Sequence, residues 1–117
     1  MTIEADIVTV LKTVTPLVFL DFAPVTTTRP YVTFQQIGGL PINYVNKELA
    51  DNKNGEFQIN AWGSSRVQVA ALMLQIEEAL RAASAFVAEP MSQPVSDYDH
   101  DVPVYGARQD WTIWSER

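Results

Sequence analysis

The chain has 117 residues, of which 47% are hydrophobic and 19% charged, and its formal net charge is −6. This length predicts one domain, residues 1–117, because two domains would each be too small to bury a useful core. It contains no cysteine, which excludes disulfides, thiolate catalysis and cysteine-ligated zinc. The 8 Lys and Arg residues stand singly, whereas tight binding to nucleic-acid phosphates needs clustered cations.

No membrane segment is expected, because no apolar run approaches the roughly 20 residues that cross a bilayer. The first residues carry Glu4 and Asp6 where a signal peptide would carry basic residues, so this start is not predicted to be one.

The first part of the chain predicts one helix and two strands. Apolar residues at helical spacing predict an amphipathic helix over residues 2–14, capped by Thr2 and ended before Pro16. A short apolar strand is predicted over residues 17–22. A second strand, rich in β-branched and aromatic residues, is predicted from Tyr31 to Ile37, ending at Gly38-Gly39.

Residues 38–54 show little periodicity and contain a polar, turn-forming stretch. A long segment of this kind is often a functional or mobile loop. We predict a protruding loop or hairpin arm, and our hypothesis is that its residues 40–54 are mobile in the free subunit and order on docking.

The second half begins with a clearly alternating strand, Glu56 to Trp62. After Gly63, Ser64 or Ser65 is expected to cap the longest helix, which runs to about Ala83. Two strands then predict a C-terminal hairpin, residues 86–93 and 104–115, around an acidic loop at 96–101. The predicted fold is α+β, with the order α-β-β-(arm)-β-α-β-β and two helices packed on one side of a mixed or antiparallel sheet.

No enzyme signature is present. The only histidine, His100, lies in the acidic loop among Asp97, Asp99 and Asp101. This spacing opens like a calcium loop, but the glycine and the final glutamate of such a loop are missing. A catalytic triad needs a base beside a nucleophile, and no nucleophile motif occurs. We therefore predict no catalytic residues, no metal site and no cofactor.

Several large apolar residues fall outside the predicted core stripes. Two readings stay open for the tryptophans: they cover the rims of the sheet, or they belong to a subunit interface, where such residues are enriched. For the arm the interface is favoured. The interface candidates are Ile42, Tyr44, Val45, Leu49, Trp62, Leu74 and Trp114.

The chain resembles the tail-completion, or tail-to-head joining, family of long-tailed phages, whose role is like that of the tail terminators. Four places carry the resemblance. They are the N-terminal helix, the start of the second strand at residues 29–34 (RPYVTF), the strand–WG–helix block at 57–82 (FQINAWGSSRVQVAALMLQIEEALRA) and the closing strand at 105–116 (YGARQDWTIWSE).

The resemblance implies a structural subunit that forms a ring, expected to be a hexamer, on the end of the tail tube. Its implied partners are other copies of itself, the tail-tube protein and a head connector or neck protein, with DNA only passing through the lumen. The implied location is the host cytoplasm during assembly and then the head-proximal end of the virion tail. Three alternatives remain: a head-completion or neck ring protein, a small-ligand binding module using Trp62 and Trp114 as walls, and an enzyme accessory subunit.

Overall fold

The computed structural model of the chain describes residues 2–24, 27–41, 52–99 and 104–116. Within them two helices and six strands form an α+β fold, which confirms the predicted class. In chain order the elements are α1 (Ile3–Leu11), β1 (Val18–Leu20), β2 (Tyr31–Gly38), β3 (Asn52–Gly63), α2 (Arg66–Ala82), β4 (Val87–Pro90), β5 (Val95–Asp99) and β6 (Val104–Glu116).

Both helices start at the hydroxyl caps that the sequence indicates. The Ala5 N–H donates to Thr2 Oγ1 at 3.2 Å, and the Gln68 N–H donates to Ser65 Oγ at 3.1 Å. Each cap satisfies one of the N–H groups that the first helical turn leaves without a carbonyl partner. Helix α1 ends at Leu11, three residues before the predicted end, and Thr13 there turns its hydroxyl back onto the Val10 carbonyl at 2.6 Å.

The sheet is mixed, with strand order β1-β2-β3-β6-β4. Strand β1 runs parallel to β2, and every other pairing among the described strands is antiparallel. Strands β4 and β5 share one side of β6: β4 lies opposite Trp111–Trp114, and β5 lies opposite Val104–Arg108. The sheet therefore has two free edges. One is β1, and the other is formed by β4 and β5, which lie one after the other along β6.

Both helices pack on the same face of this sheet, as predicted. Alternation along the strands sends every second side chain to that face. Trp111, Phe34, Phe57 and Ile76 are fully buried there. The remaining core residues are contributed by α1 (Ile3, Ile7, Leu11), by α2 (Val69, Leu72, Met73, Leu80) and by the strands and their flanks (Val32, Ile59, Ala61, Phe86, Ala88, Ala107, Ile113).

The first strand is shorter than predicted. It covers Val18–Leu20 only, because Asp21 adopts a left-handed backbone conformation with φ of 70°. Asp tolerates this region better than most residues. The turn at Asp21 takes Phe22 out of the strand and leaves its side chain 78% exposed.

Two predicted loops are partly strand. Residues 95–99 form β5, so the predicted acidic loop at 96–101 is wrong for its first four residues. Gly38 ends β2 and Asn52 begins β3, so both ends of the predicted arm at 38–54 belong to strands. Residues 42–51 and 100–103 lie outside the described residues, and with them the centre of the arm and His100.

A core substitution on α2 should destabilise the fold far more than an exposed one on the same helix. We expect Ile76→Ala, at a fully buried position, to lower the free energy of unfolding by about 2–5 kcal/mol. Val67→Ala, at a position 80% exposed, should change it by less than about 0.5 kcal/mol. Urea denaturation followed by circular dichroism measures both, and equal losses would contradict this packing.

Candidate functional site

The face of the sheet opposite the helices, here called the outer face, is covered by no described element. Strand alternation and register place on it mainly polar side chains in its centre and aromatic side chains near its ends. Its members are Tyr31, Thr33, Gln35, Asn54, Glu56, Gln58, Asn60, Trp62, Val87, Glu89, Val95, Asp97, Asp99, Val104, Arg108, Asp110, Thr112 and Trp114. In the centre, Gln58 Nε2 donates to Asp110 Oδ1 at 3.5 Å.

Trp62 lies at one end of the outer face in an intramolecular cluster. Its ring stacks on Tyr31 at 6.4 Å between centroids, and Tyr31 meets Phe19 edge-on at 6.4 Å. Its Nε1–H donates to Thr33 Oγ1 at 3.2 Å. Burial under these neighbours raises the pKa of the Tyr31 hydroxyl, with a smaller opposing effect of the Arg29 charge.

Gly106 makes room for the Trp62 ring. It stands directly opposite Trp62 in the β3–β6 register. A Cβ at position 106 would lie 2.6 Å from a carbon of that ring. This is shorter than a van der Waals contact, so the ring or the backbone would have to move. Trp62 therefore packs within its own sheet and is partly buried, and its place in a subunit interface stays a prediction.

Trp114 lies at the other end of the outer face, opposite Asn54 in β3 and Val87 in β4. The Asn54 side chain connects two segments by hydrogen bonds: its Oδ1 accepts from the Leu40 N–H at 2.9 Å, and its Nδ2 donates to Thr112 Oγ1 at 2.7 Å. Trp114 stands eight positions after Gly106, the partner of Trp62. At about 3.4 Å per residue the two tryptophans are roughly 27 Å apart, so they cannot form the walls of one ligand pocket.

Two grooves flank α2. The first, here called the α2–β5 groove, has a volume of about 360 Å³ and an apolar floor that includes Val69, Met73 and Ala107. Arg66 and Glu77 line it together with Leu74, whose side chain is 60% exposed, and Pro94. The second, here called the α1–α2 groove, has a volume of about 520 Å³ and is lined by residues 14–17, Arg29, Pro30 and the Gln75 side of α2.

Arg66 is fixed in place at the α2–β5 groove. Its two terminal nitrogens donate to the Gly106 carbonyl at 2.6 Å and to the Asp97 carbonyl at 2.8 Å. Its guanidinium also lies 5.5 Å from the centre of the Tyr105 ring. Within the described ranges Arg66 forms no salt bridge with a carboxylate, so its positive charge is not neutralised by a described partner.

The described residues hold no cluster of three or more His, Asp or Glu side chains that could bind a metal ion. Neither helix in this part of the chain is long and apolar enough to cross a membrane. The features that the described structure offers are surfaces for contact: an outer sheet face, two grooves and a few large exposed apolar side chains.

A family model described as tail completion protein gp17 matches residues 5–116 of the chain. The chain belongs to this family of phage tail completion proteins. No curated protein matches the chain at a significant level. Membership makes it a structural phage tail protein and locates it in the virion tail.

The predicted interface residues of this tail completion chain fall into separate places. Leu74 lines the α2–β5 groove, while Trp62 and Trp114 lie at opposite ends of the outer face. The four candidates in the arm, Ile42, Tyr44, Val45 and Leu49, lie outside the described residues. The sequence analysis did not single out Phe22 as an exposed residue, because it lies in an apolar run that predicts one continuous strand over residues 17–22.

Gly106→Ala should destabilise the protein through Trp62. We expect a loss of about 1–3 kcal/mol in the free energy of unfolding, because the new methyl group forces the ring to move. In a Trp62→Ala background the same change should cost less than about 0.5 kcal/mol. Urea titrations of the four proteins in this double-mutant cycle measure the coupling; an equal cost in both backgrounds would show that the ring does not set the requirement for glycine.

Proposed function

We propose that this chain is the subunit of a ring that caps the head-proximal end of the phage tail tube and joins the tail to the head. The ring is a hexamer, assembled in the host cytoplasm and then retained in the virion. The observation that carries this proposal is the family match, which spans residues 5–116 and so takes in every described strand and α2.

The surfaces of the subunit suit a ring. A cyclic assembly uses heterologous contacts, in which one patch on a subunit meets a different patch on its neighbour. The described residues supply two kinds of apolar surface far from each other in the fold: the exposed Phe22 beyond β1, and the exposed Leu74 beside the α2–β5 groove. Two different patches allow the contact to repeat from copy to copy.

The role needs no catalysis and no cofactor. We propose that its partners are other copies of itself, the tail-tube protein on one side and the head connector or neck protein on the other. Each of these is a surface contact, for which the two sheet edges, the two grooves beside α2 and the ends of the strands are available.

DNA is proposed to pass through the lumen without being held. The outer face carries five carboxylates, from Glu56, Glu89, Asp97, Asp99 and Asp110, against the one guanidinium of Arg108. The formal charge of the chain is −6. A negative wall repels phosphates and so lets a duplex slide, and we place the outer face toward the lumen on this ground.

Deletion of the gene from its phage tests the role. We expect full heads beside unattached tails of abnormal or variable length, because tube growth would not be stopped and the joining surface would be absent. Negative-stain electron microscopy of the lysate measures this, with the intact gene supplied in trans as the control that restores joined particles.

Two other outcomes would contradict the proposal. Normal tails beside leaking, DNA-empty heads would move the subunit to the head side of the joint, as a head-completion or neck protein. Intact infectious particles would show that neither role is required.

A further inference from the structure

Phe22 is the most exposed aromatic side chain in the described part of the chain, at 78%. Its position is fixed by backbone hydrogen bonds: the Asp21 N–H donates to the Phe34 carbonyl at 2.8 Å, and the Phe22 N–H donates to the Leu20 carbonyl at 2.9 Å. The left-handed conformation of Asp21 directs the chain out of β1 at this point. The turn therefore holds the large apolar side chain of Phe22 at the β1 edge, where it is exposed to solvent.

The α2–β5 groove is large enough to receive such a side chain. Its floor of Val69, Met73 and Ala107 is apolar, and its volume is about 360 Å³. An apolar cavity of about 150 Å³ already holds a benzene ring. On its outer side α2 continues the apolar surface with Leu74 and Val67, which are 60% and 80% exposed and two helical turns apart.

One charge beside each feature is complementary to the other, Asp21 at the turn and Arg66 at the groove; the second charged residue of the groove, Glu77, is paired with Arg81 at 3.1 Å. Asp21, directly before Phe22, is exposed and forms no salt bridge within the described ranges. Arg66 lines the α2–β5 groove with its guanidinium fixed on two backbone carbonyls and likewise without a described carboxylate partner. A side chain inserted from the Asp21–Phe22 turn would bring a carboxylate toward this guanidinium, and complementary charges of this kind set the register of an interface.

One copy cannot join these two features to each other. Phe22 follows β1, whereas the floor of the groove rests on β6 beside β5, at the opposite edge of the sheet. Four strand spacings of about 4.8 Å separate the two edges, or roughly 19 Å. We propose that Phe22 of one copy inserts into the α2–β5 groove of a second copy, with Asp21 facing the Arg66 of that copy.

This contact joins opposite edges of two copies. In any pair, one copy therefore still has a free Phe22 and the other a free α2–β5 groove, so further copies can add in one direction. It rests on the proposed ring and names the surfaces that build it. The α1–α2 groove is the rival site. It lies on the β1 side of α2, toward residues 14–17, so insertion of Phe22 there would join like edges and give a closed pair of copies.

The absence of cysteine makes the contact testable by cross-linking. A tagged Phe22→Cys protein is mixed with an untagged Leu74→Cys protein, both in complemented phage tails and as purified proteins at millimolar concentration, and then oxidised or treated with a short bismaleimide. Gln75→Cys is the matched control, since residue 75 is the exposed neighbour of Leu74 on α2 but lines the α1–α2 groove. Circular dichroism checks that each variant is folded.

The expected result is a tagged–untagged dimer for the 22 and 74 pair, on the order of tenfold more abundant than for the 22 and 75 pair, because two thiols held at one contact have a high effective concentration. A stronger link to residue 75, or no link to 74 in either preparation, overturns the inference. Particles that assemble normally without the 22–74 link would refute this contact and leave the ring standing. A 22–74 link in purified protein whose gene proves dispensable for tails would refute the proposed function and leave the contact standing.

Discussion

The pairing of β3 with β6 is the constraint on which the rest of the structure depends. The two strands keep one antiparallel register from Asn52 opposite Glu116 to Gly63 opposite Tyr105. Every other strand attaches to one of them directly or through β2. Because side chains alternate along a strand, this single register decides which residues face the helices and which form the outer face. A shift by one residue would exchange Trp111 with the polar residues beside it.

The sequence predicted those elements whose signals are local. Helix α2 was found almost to the residue, since a serine cap and apolar residues at helical spacing both mark it. Strand β5 was missed because its side chains, which include Asp97 and Asp99, are mostly exposed and show no alternation of burial; its pairing with β6 orders it. The start of β3 was missed for a related reason, since Asn54 and Gly55 are typical turn residues, yet Asn54 is held by Leu40 and Thr112.

The site was less predictable than the fold. Trp62 and Trp114 stand out in the sequence as apolar residues that break a strand pattern, but the sequence could not distinguish a rim residue from an interface residue. Only the register reveals that Trp62 packs over Gly106 within the same chain. Phe22 went unnoticed because its exposure follows from the backbone turn at Asp21, which no side-chain pattern reports. Family membership, by contrast, was accessible from the sequence, because the strand–WG–helix block and the closing strand are distinctive.

The most direct test of the central claim is the position of the subunit in the virion. An epitope tag on the subunit, detected with gold-labelled antibody on intact particles and on isolated tails, measures it by electron microscopy. A tail-capping ring predicts label at one end of each isolated tail, at the end that meets the head in whole particles. Label along the length of the tail, at its distal tip, or only on heads without tails would contradict the account.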